Sequence, residues 1–196
     1  MAYFPMFVDL TDRPCLIVGG GNVAYRKVLV MLDFGAKVTV VAENICDKIR
    51  SLATSHNYNS NDSLSGKKVD EKETDKQVAD ITYAKEYDVN KETFNKVTLY
   101  ERKFDQKDCN GMQIVIAATD DNALNHKIAE YCRSKGIMVN AVDQKADCSF
   151  IFPSYVKEKN LVAAFSSGGN SPVLTQYLKS KEKEVLTPFL GELNEY

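Results

Sequence analysis

Four short stretches of this 196-residue sequence combine residue types and spacings that could do chemistry. The first is Gly19-Gly20-Gly21-Asn22-Val23-Ala24, within the run CLIVGGGNVAYRK. In it Gly19, Gly21 and Ala24 fall on the small positions of a dinucleotide loop. The first permits a tight turn, the second lets a pyrophosphate approach the backbone, and the third lets helix and strand pack closely. A helix starting near Asn22 would aim its N–H groups and positive dipole end at the phosphates. Two readings compete: a bare turn between strand and helix, or a nucleotide site.

The other stretches lie further along. Thr119-Asp120-Asp121 closes an apolar run, where its side chains could line a cofactor cleft, cap the next helix, or do both. Asp143 ends another run and is either a turn residue or a carboxylate able to take a proton or position a substrate. Ser166-Ser167-Gly168-Gly169-Asn170-Ser171-Pro172 is a second glycine-rich turn before a helix, and backbone N–H groups with hydroxyls there would suit an anion. Glu43 sits one residue beyond the usual place for the acidic partner of an adenosine ribose. It is either a surface glutamate or that partner, and the latter would favour NAD over NADP.

The elements that must hold these residues follow from periodicity. Cys15 to Val18 reads as a buried strand. Ala24, Val28, Met31 and Leu32 share a helix face, with Gly35 as a C-terminal cap, and Lys37 to Ala42 is β-branched and apolar. Together they make a βαβ unit with parallel strands. Val97 to Tyr100 and Met112 to Ala118 read as strands. A helix then carries Leu124, Ile128, Tyr131 and Cys132 on one face, and Ile137 to Val142 is another strand. The fold class expected is α/β, a Rossmann-type parallel sheet.

Two regions break the alternation. A polar insertion at about 55–95, densest from Ser55 to Asp75, reads as a solvated loop or a mobile lid. After Val142, Ser149 to Val156 and Leu161 to Ser167 flank the polar Lys157–Asn160 and predict an antiparallel hairpin. A helix from Pro172 follows, its apolar face including Leu174, Tyr177 and Leu178. The expected division is a dinucleotide-binding domain over 1–145 and, over 146–196, a hairpin with the start of a helical region. An apolar hairpin outside the main sheet needs cover, which a partner subunit would supply.

Bulk properties narrow the classes. With 44% hydrophobic and 27% charged residues the composition is that of an ordinary soluble domain. A net charge of −2 argues against general nucleic-acid binding. No apolar run is long enough to span a bilayer, and the N-terminus lacks a basic signal segment, so a cytoplasmic location is expected. Five scattered cysteines read as reduced and mostly packed. His56 and His126 have no ligand-spaced neighbours, so no metal site is expected, and His126 reads as an exposed histidine off its helix's apolar stripe.

Taken in order, YFPMFVDL, CLIVGGGNVAYRK, IVIAATDDNALN, VNAVDQKADCSFIFPS and VAAFSSGGNSPVL resemble the successive motifs of the precorrin-2 dehydrogenase family, the siroheme synthase N-terminal module. The resemblance covers Tyr3 to about Leu178 except the polar insertion. It implies oxidation of precorrin-2 to sirohydrochlorin with NAD as hydride acceptor, in siroheme or cobalamin biosynthesis. It also implies a homodimer with contacts exchanged through the hairpin and, in some members, insertion of Fe2+ as a second substrate. Gly19, Gly21, Asn22 and Val23 match the family's dinucleotide loop, Thr119 and Asp120 its second cofactor-facing turn, and Asp143 its catalytic aspartate. The tetrapyrrole substrate is a polycarboxylate, which suits Ser166, Ser167, Gly168, Gly169 and Asn170 as an anion-binding turn.

The sequence departs from the family pattern in its longer insertion and in ending at Tyr196, which makes the helical region short. It also carries no methyltransferase module, so methylation is expected from another protein. A reading from another class is a ligand-sensing Rossmann module that binds NAD without turnover.

Overall fold

The computed structural model describes residues 3–54, 96–158, 161–168 and 170–193. The polar insertion at about 55–95 lies outside them. The chain divides into two compact units, one of Phe7–Asp147 and one of Met1–Met6 with Cys148–Tyr196.

The larger unit contains five strands: β1 (Pro14–Val18), β2 (Lys37–Ala42), β3 (Val97–Glu101), β4 (Ile114–Ala117) and β5 (Met138–Ala141). They form one parallel sheet in the order β3-β2-β1-β4-β5. Every residue of β4 is buried, as expected of a strand covered on both faces. Leu16, Ile17, Val40, Val115 and Ile116 are all fully buried in the sheet, and each contributes roughly 1.5–3 kcal/mol of hydrophobic stabilisation. Truncating Ile116 to Ala would cost about 2–5 kcal/mol, the range for emptying a packed core position.

The first helix is amphipathic and ends at a glycine. Helix α1 (Asn22–Asp33) buries Ala24, Val28, Leu29, Met31 and Leu32. Gly35 follows at φ 79°, and the Ala36 N–H returns to the Met31 carbonyl at 3.0 Å, which satisfies a terminal acceptor. Helix α2 (Asp47–Thr54) is joined to β3 by the Arg50–Glu101 ion pair. Helix α3 (Asn122–Ser134) buries Asn125, Ile128, Ala129 and Cys132. Its inward face is therefore turned about one residue from the expected stripe, leaving Leu124 and Tyr131 half-buried at the margin. A 3-10 turn at Gln106–Cys109 sets Cys109 against α3, its Sγ 3.9 Å from that of Cys132.

In the smaller unit β6 (Ser154–Glu158) and β7 (Leu161–Phe165) pair antiparallel, with Ser154 opposite Phe165. The first strand is shorter than expected: Ser149–Pro153 is not strand, since Pro153 has no N–H to give a ladder. Helix α4 (Pro172–Leu193) packs on this hairpin through Thr175, whose hydroxyl lies 3.1 Å from that of Ser154. It is a single helix of 22 residues. The face read as apolar is not buried within the chain: Leu174, Tyr177 and Leu178 are exposed, with Val173 and Val185. Among the described residues no helix is long and apolar enough to cross a membrane.

Candidate functional site

Strand register places the candidate residues of the larger unit along one edge. Val18 pairs with Val41 on one side and Ala117 on the other, and Ala117 pairs with Ala141. The carboxyl ends of four strands are thus level. Gly19 follows one residue beyond this level, and Glu43, Thr119 and Asp143 two residues beyond it. Strand order reverses between β1 and β4, and the crevice at such a switch point is where open α/β sheets bind ligands.

The glycine loop is held on both sides. Gly19 has φ 129°, and a Cβ there would lie 2.2 Å from the Ala118 carbonyl oxygen, so the β1 and β4 turns touch backbone to backbone. Gly20, which the spacing pattern leaves unspecified, is equally constrained: its Cβ would fall 2.0 Å from the Asn44 carbonyl oxygen. The Cys46 N–H also donates to the Gly20 carbonyl at 2.9 Å. Gly21 differs. Nothing lies within 4 Å of its would-be Cβ, and with Asn22 and Val23 it is exposed. As the residue before α1 it provides no side-chain cap, and no acidic residue occupies the helix's first turn. The leading N–H groups of α1 and the space before Gly21 fit a pyrophosphate, whose negative charge the helix end favours.

The neighbouring helix is arranged oppositely. The Asp121 carboxylate accepts from the N–H groups of Ala123 at 2.9 Å and Leu124 at 3.0 Å, so α3 is capped by its own chain. Capping therefore falls to Asp121 alone among the three residues considered for it. Asp120 is exposed beside it. Thr119 is bound to Asn125, a buried polar residue that periodicity had not singled out. The Thr119 N–H and hydroxyl donate to Asn125 Oδ1 at 3.2 and 2.7 Å, and Asn125 Nδ2 donates to the Thr119 carbonyl at 2.9 Å.

Asp143 is exposed in the turn after β5, which the Gln144 N–H closes on the Ala141 carbonyl at 3.2 Å. Its φ of 60° is left-handed, a conformation that glycine, asparagine and aspartate adopt more readily than other residues. The turn is anchored further on. Asp147, 8% exposed, receives His126 Nδ1 at 2.8 Å and Arg133 at 3.2 Å, and the Gln144 amide donates to the Asn122 carbonyl at 3.0 Å. His126 is half exposed, as its position off the stripe indicated, yet it is paired, and the hydrogen bond and charge of Asp147 raise its pKa above the usual 6.5. Glu43 is exposed, with Lys103 Nζ 3.9 Å away.

In the smaller unit the serine-rich turn is internally bonded. Ser166 Oγ accepts from the Gly168 N–H at 3.1 Å, Ser167 Oγ from Ser171 at 2.8 Å, and Ser171 Oγ from Leu174 at 3.3 Å. A hydroxyl that accepts from the backbone still has its own proton to donate, so the turn keeps donors for an anion. Gly168 has φ 63°, Asn170 is exposed, and Gly169 lies outside the described residues.

Three comparisons bear on this arrangement. The family model described as "Putative NAD(P)-binding" matches residues 6–154. The siroheme synthase of Actinobacillus pleuropneumoniae serotype 3 (strain JL03) is 35% identical over 193 residues, 98% of this chain and 32% of that one. The siroheme synthase of Escherichia coli O1:K1 / APEC is 34% identical over 196 residues, 100% of this chain and 34% of its own. The chain thus spans about a third of the length of these curated relatives. Among solved structures, "SirC, precorrin-2 dehydrogenase" superposes with a TM-score of 0.61 at 21% identity, covering 93% of this chain and 70% of that one, and has the same fold.

Proposed function

Because the chain belongs to the NAD(P)-binding family matched by residues 6–154, we propose that it oxidises precorrin-2 to sirohydrochlorin with NAD+ in siroheme synthesis. The observation that carries this reading is Asp143, an exposed carboxylate in a left-handed turn on the sheet edge where β1 ends in the glycine loop. The names of the relatives, siroheme synthase and precorrin-2 dehydrogenase, support the choice of substrate.

NAD+, when bound, supplies the hydride acceptor. The chain's own residues supply the rest. Gly19, Gly21, Asn22 and Val23 with the start of α1 hold the pyrophosphate, and Glu43 meets the adenosine ribose. Thr119 and Asp120 border the cofactor on the β4 side. Precorrin-2 gives up a hydride and a proton, and the Asp143 carboxylate receives the proton at an oxygen while stabilising the cation formed in between. Ser166, Ser167, Gly168, Gly169 and Asn170 bind substrate carboxylates. The exposed apolar residues of α4 need cover, and a second copy of the chain in a homodimer supplies it.

The test is an anaerobic incubation of the protein with precorrin-2 and NAD+, followed by NADH absorbance and the product spectrum. NADH and sirohydrochlorin are expected in equal amounts. No NADH where a control dehydrogenase produces it would overturn the proposal, and NAD+ binding without turnover would favour a sensing module. Adding Fe2+ to sirohydrochlorin in a separate reaction reads out metal insertion.

A further inference from the structure

We infer that Asn125 is a positioning residue for the NAD+ cleft, setting the place of the Thr119 turn against the glycine loop. The inference rests on the reading of the sheet edge given above. Asn125 is 1% exposed and sits on the inward face of α3 among Ile128, Ala129 and Cys132. A buried amide is costly unless its hydrogen bonds are made. The three bonds described for it all go to Thr119: backbone N–H, side-chain hydroxyl and carbonyl. An amide offers a donor and an acceptor side by side, so it matches the two backbone groups of one residue as a neighbouring strand would.

The position of that residue gives the match its consequence. Ala118 continues the β4 ladder, donating to the Val18 carbonyl at 2.8 Å, and its own carbonyl oxygen fills the space a Cβ would need at Gly19. Thr119 is the next residue, where the chain leaves the sheet. Asn125 therefore fixes the peptide that borders the glycine loop. Ala in its place would leave both Thr119 backbone groups without this partner and free the turn to move. Asn125 touches no reacting atom in this arrangement, so its effect falls on cofactor affinity rather than on the proton transfer assigned to Asp143.

The experiment measures the NAD+ dissociation constant of the full chain by calorimetry, without substrate, for the wild type, Asn125→Ala and Asn125→Asp. Asn125→Ala should bind NAD+ about tenfold more weakly, the effect of one lost polar contact, with KM for NAD+ raised and kcat nearly unchanged. Asn125→Asp supplies the sharper result. A protonated carboxyl has the donor and acceptor of an amide, whereas the carboxylate has acceptors alone and faces the Thr119 carbonyl. Its NAD+ affinity should approach that of the wild type as the pH falls from about 8 to 5, across the range of a buried carboxyl. The wild type, which keeps Asp120 and Asp121, supplies the background pH dependence. Variants that melt earlier but bind NAD+ like the wild type at every pH would overturn the inference. If Asn125→Ala does not fold, the pH series of Asn125→Asp decides. A wild-type chain that does not bind NAD+ would instead overturn the reading of the edge, and this inference with it.

Discussion

Gly20 lies directly beneath Asn44: the Cβ of any other residue at position 20 would come within 2.0 Å of the Asn44 carbonyl oxygen. The segment after β2 crosses the glycine loop there and is tied down by the bond from Cys46 N–H to the Gly20 carbonyl. Three consecutive glycines thus differ. Gly19 is required by β4 and Gly20 by the β2 exit, whereas no atom of the chain lies within 4 Å of the would-be Cβ of Gly21.

That division separates stability from binding. Gly20→Ala should lower the stability of the fold by about 1–3 kcal/mol, because backbone must move to admit the methyl group. Gly21→Ala meets no atom and should cost under about 1 kcal/mol as a cap change, while weakening NAD+ binding by obstructing the phosphate path. Thermal melts and NAD+ titrations on the two variants should rank them in opposite orders. The same rank in both assays would show that the open side of Gly21 is not the phosphate side.

Asp143 should show a conflict between stability and activity. Its left-handed φ costs a residue with a Cβ about 1 kcal/mol relative to glycine. Asp143→Gly is expected to melt at the same temperature as the wild type or higher, yet to lose turnover. Asp143→Asn keeps the shape and removes the base, so the rate of NADH formation should fall by at least about a hundredfold with NAD+ affinity retained. Undiminished turnover in either variant would remove Asp143 from its assigned role.

The alternation of strands and helices was legible because each element of the larger unit has a strong period and a marked end, as in α1 with Gly35. The missed features join residues far apart in sequence. Gly20 stands at an unspecified position of the loop pattern, and its requirement comes from Asn44, which no local spacing reveals. Asn125 contradicts the rule that inward positions are apolar, and only its bonds to Thr119 explain it. The apolar residues of α4 followed a helical period correctly, but periodicity does not say what covers a face. His126 was placed on the surface, and its partner Asp147 is 21 residues away.

The His126–Asp147 pair predicts a direction for the pH dependence of stability. Asp147 raises the histidine's pKa, first through the hydrogen bond and then through charge; Glu130 adds to the rise, while partial burial and Arg133 oppose it. A group bound more tightly when protonated stabilises fully below its ordinary pKa of 6.5 and loses that contribution as pH climbs through the raised value. Melting temperature should therefore decline above about pH 6.5, and His126→Gln should flatten that part of the profile. An unchanged slope in the variant would assign the effect to another group.

Thiol reactivity should follow burial. Cys15 is 2% exposed, and desolvation pushes its pKa up to about 12, while Cys109 and Cys132 are fully enclosed. Cys46 and Cys148 are half-buried. Brief alkylation of the native protein should label Cys46 and Cys148 first, and unfolding should release the other three. Labelling of Cys15 as fast as Cys46 by peptide mass mapping would contradict the packing of β1.

The level strand ends also govern how such a site can change over time. Substituting a residue beyond Val18, Val41, Ala117 or Ala141 alters one chemical group and leaves the others in place. Deleting one residue within a strand displaces everything after it by about 3.3 Å and turns alternate side chains to the opposite face. The sheet behaves as a ruler with its marks aligned at one end. A lineage built on it is free to exchange side chains along that margin, but not to alter the lengths of the strands that deliver them.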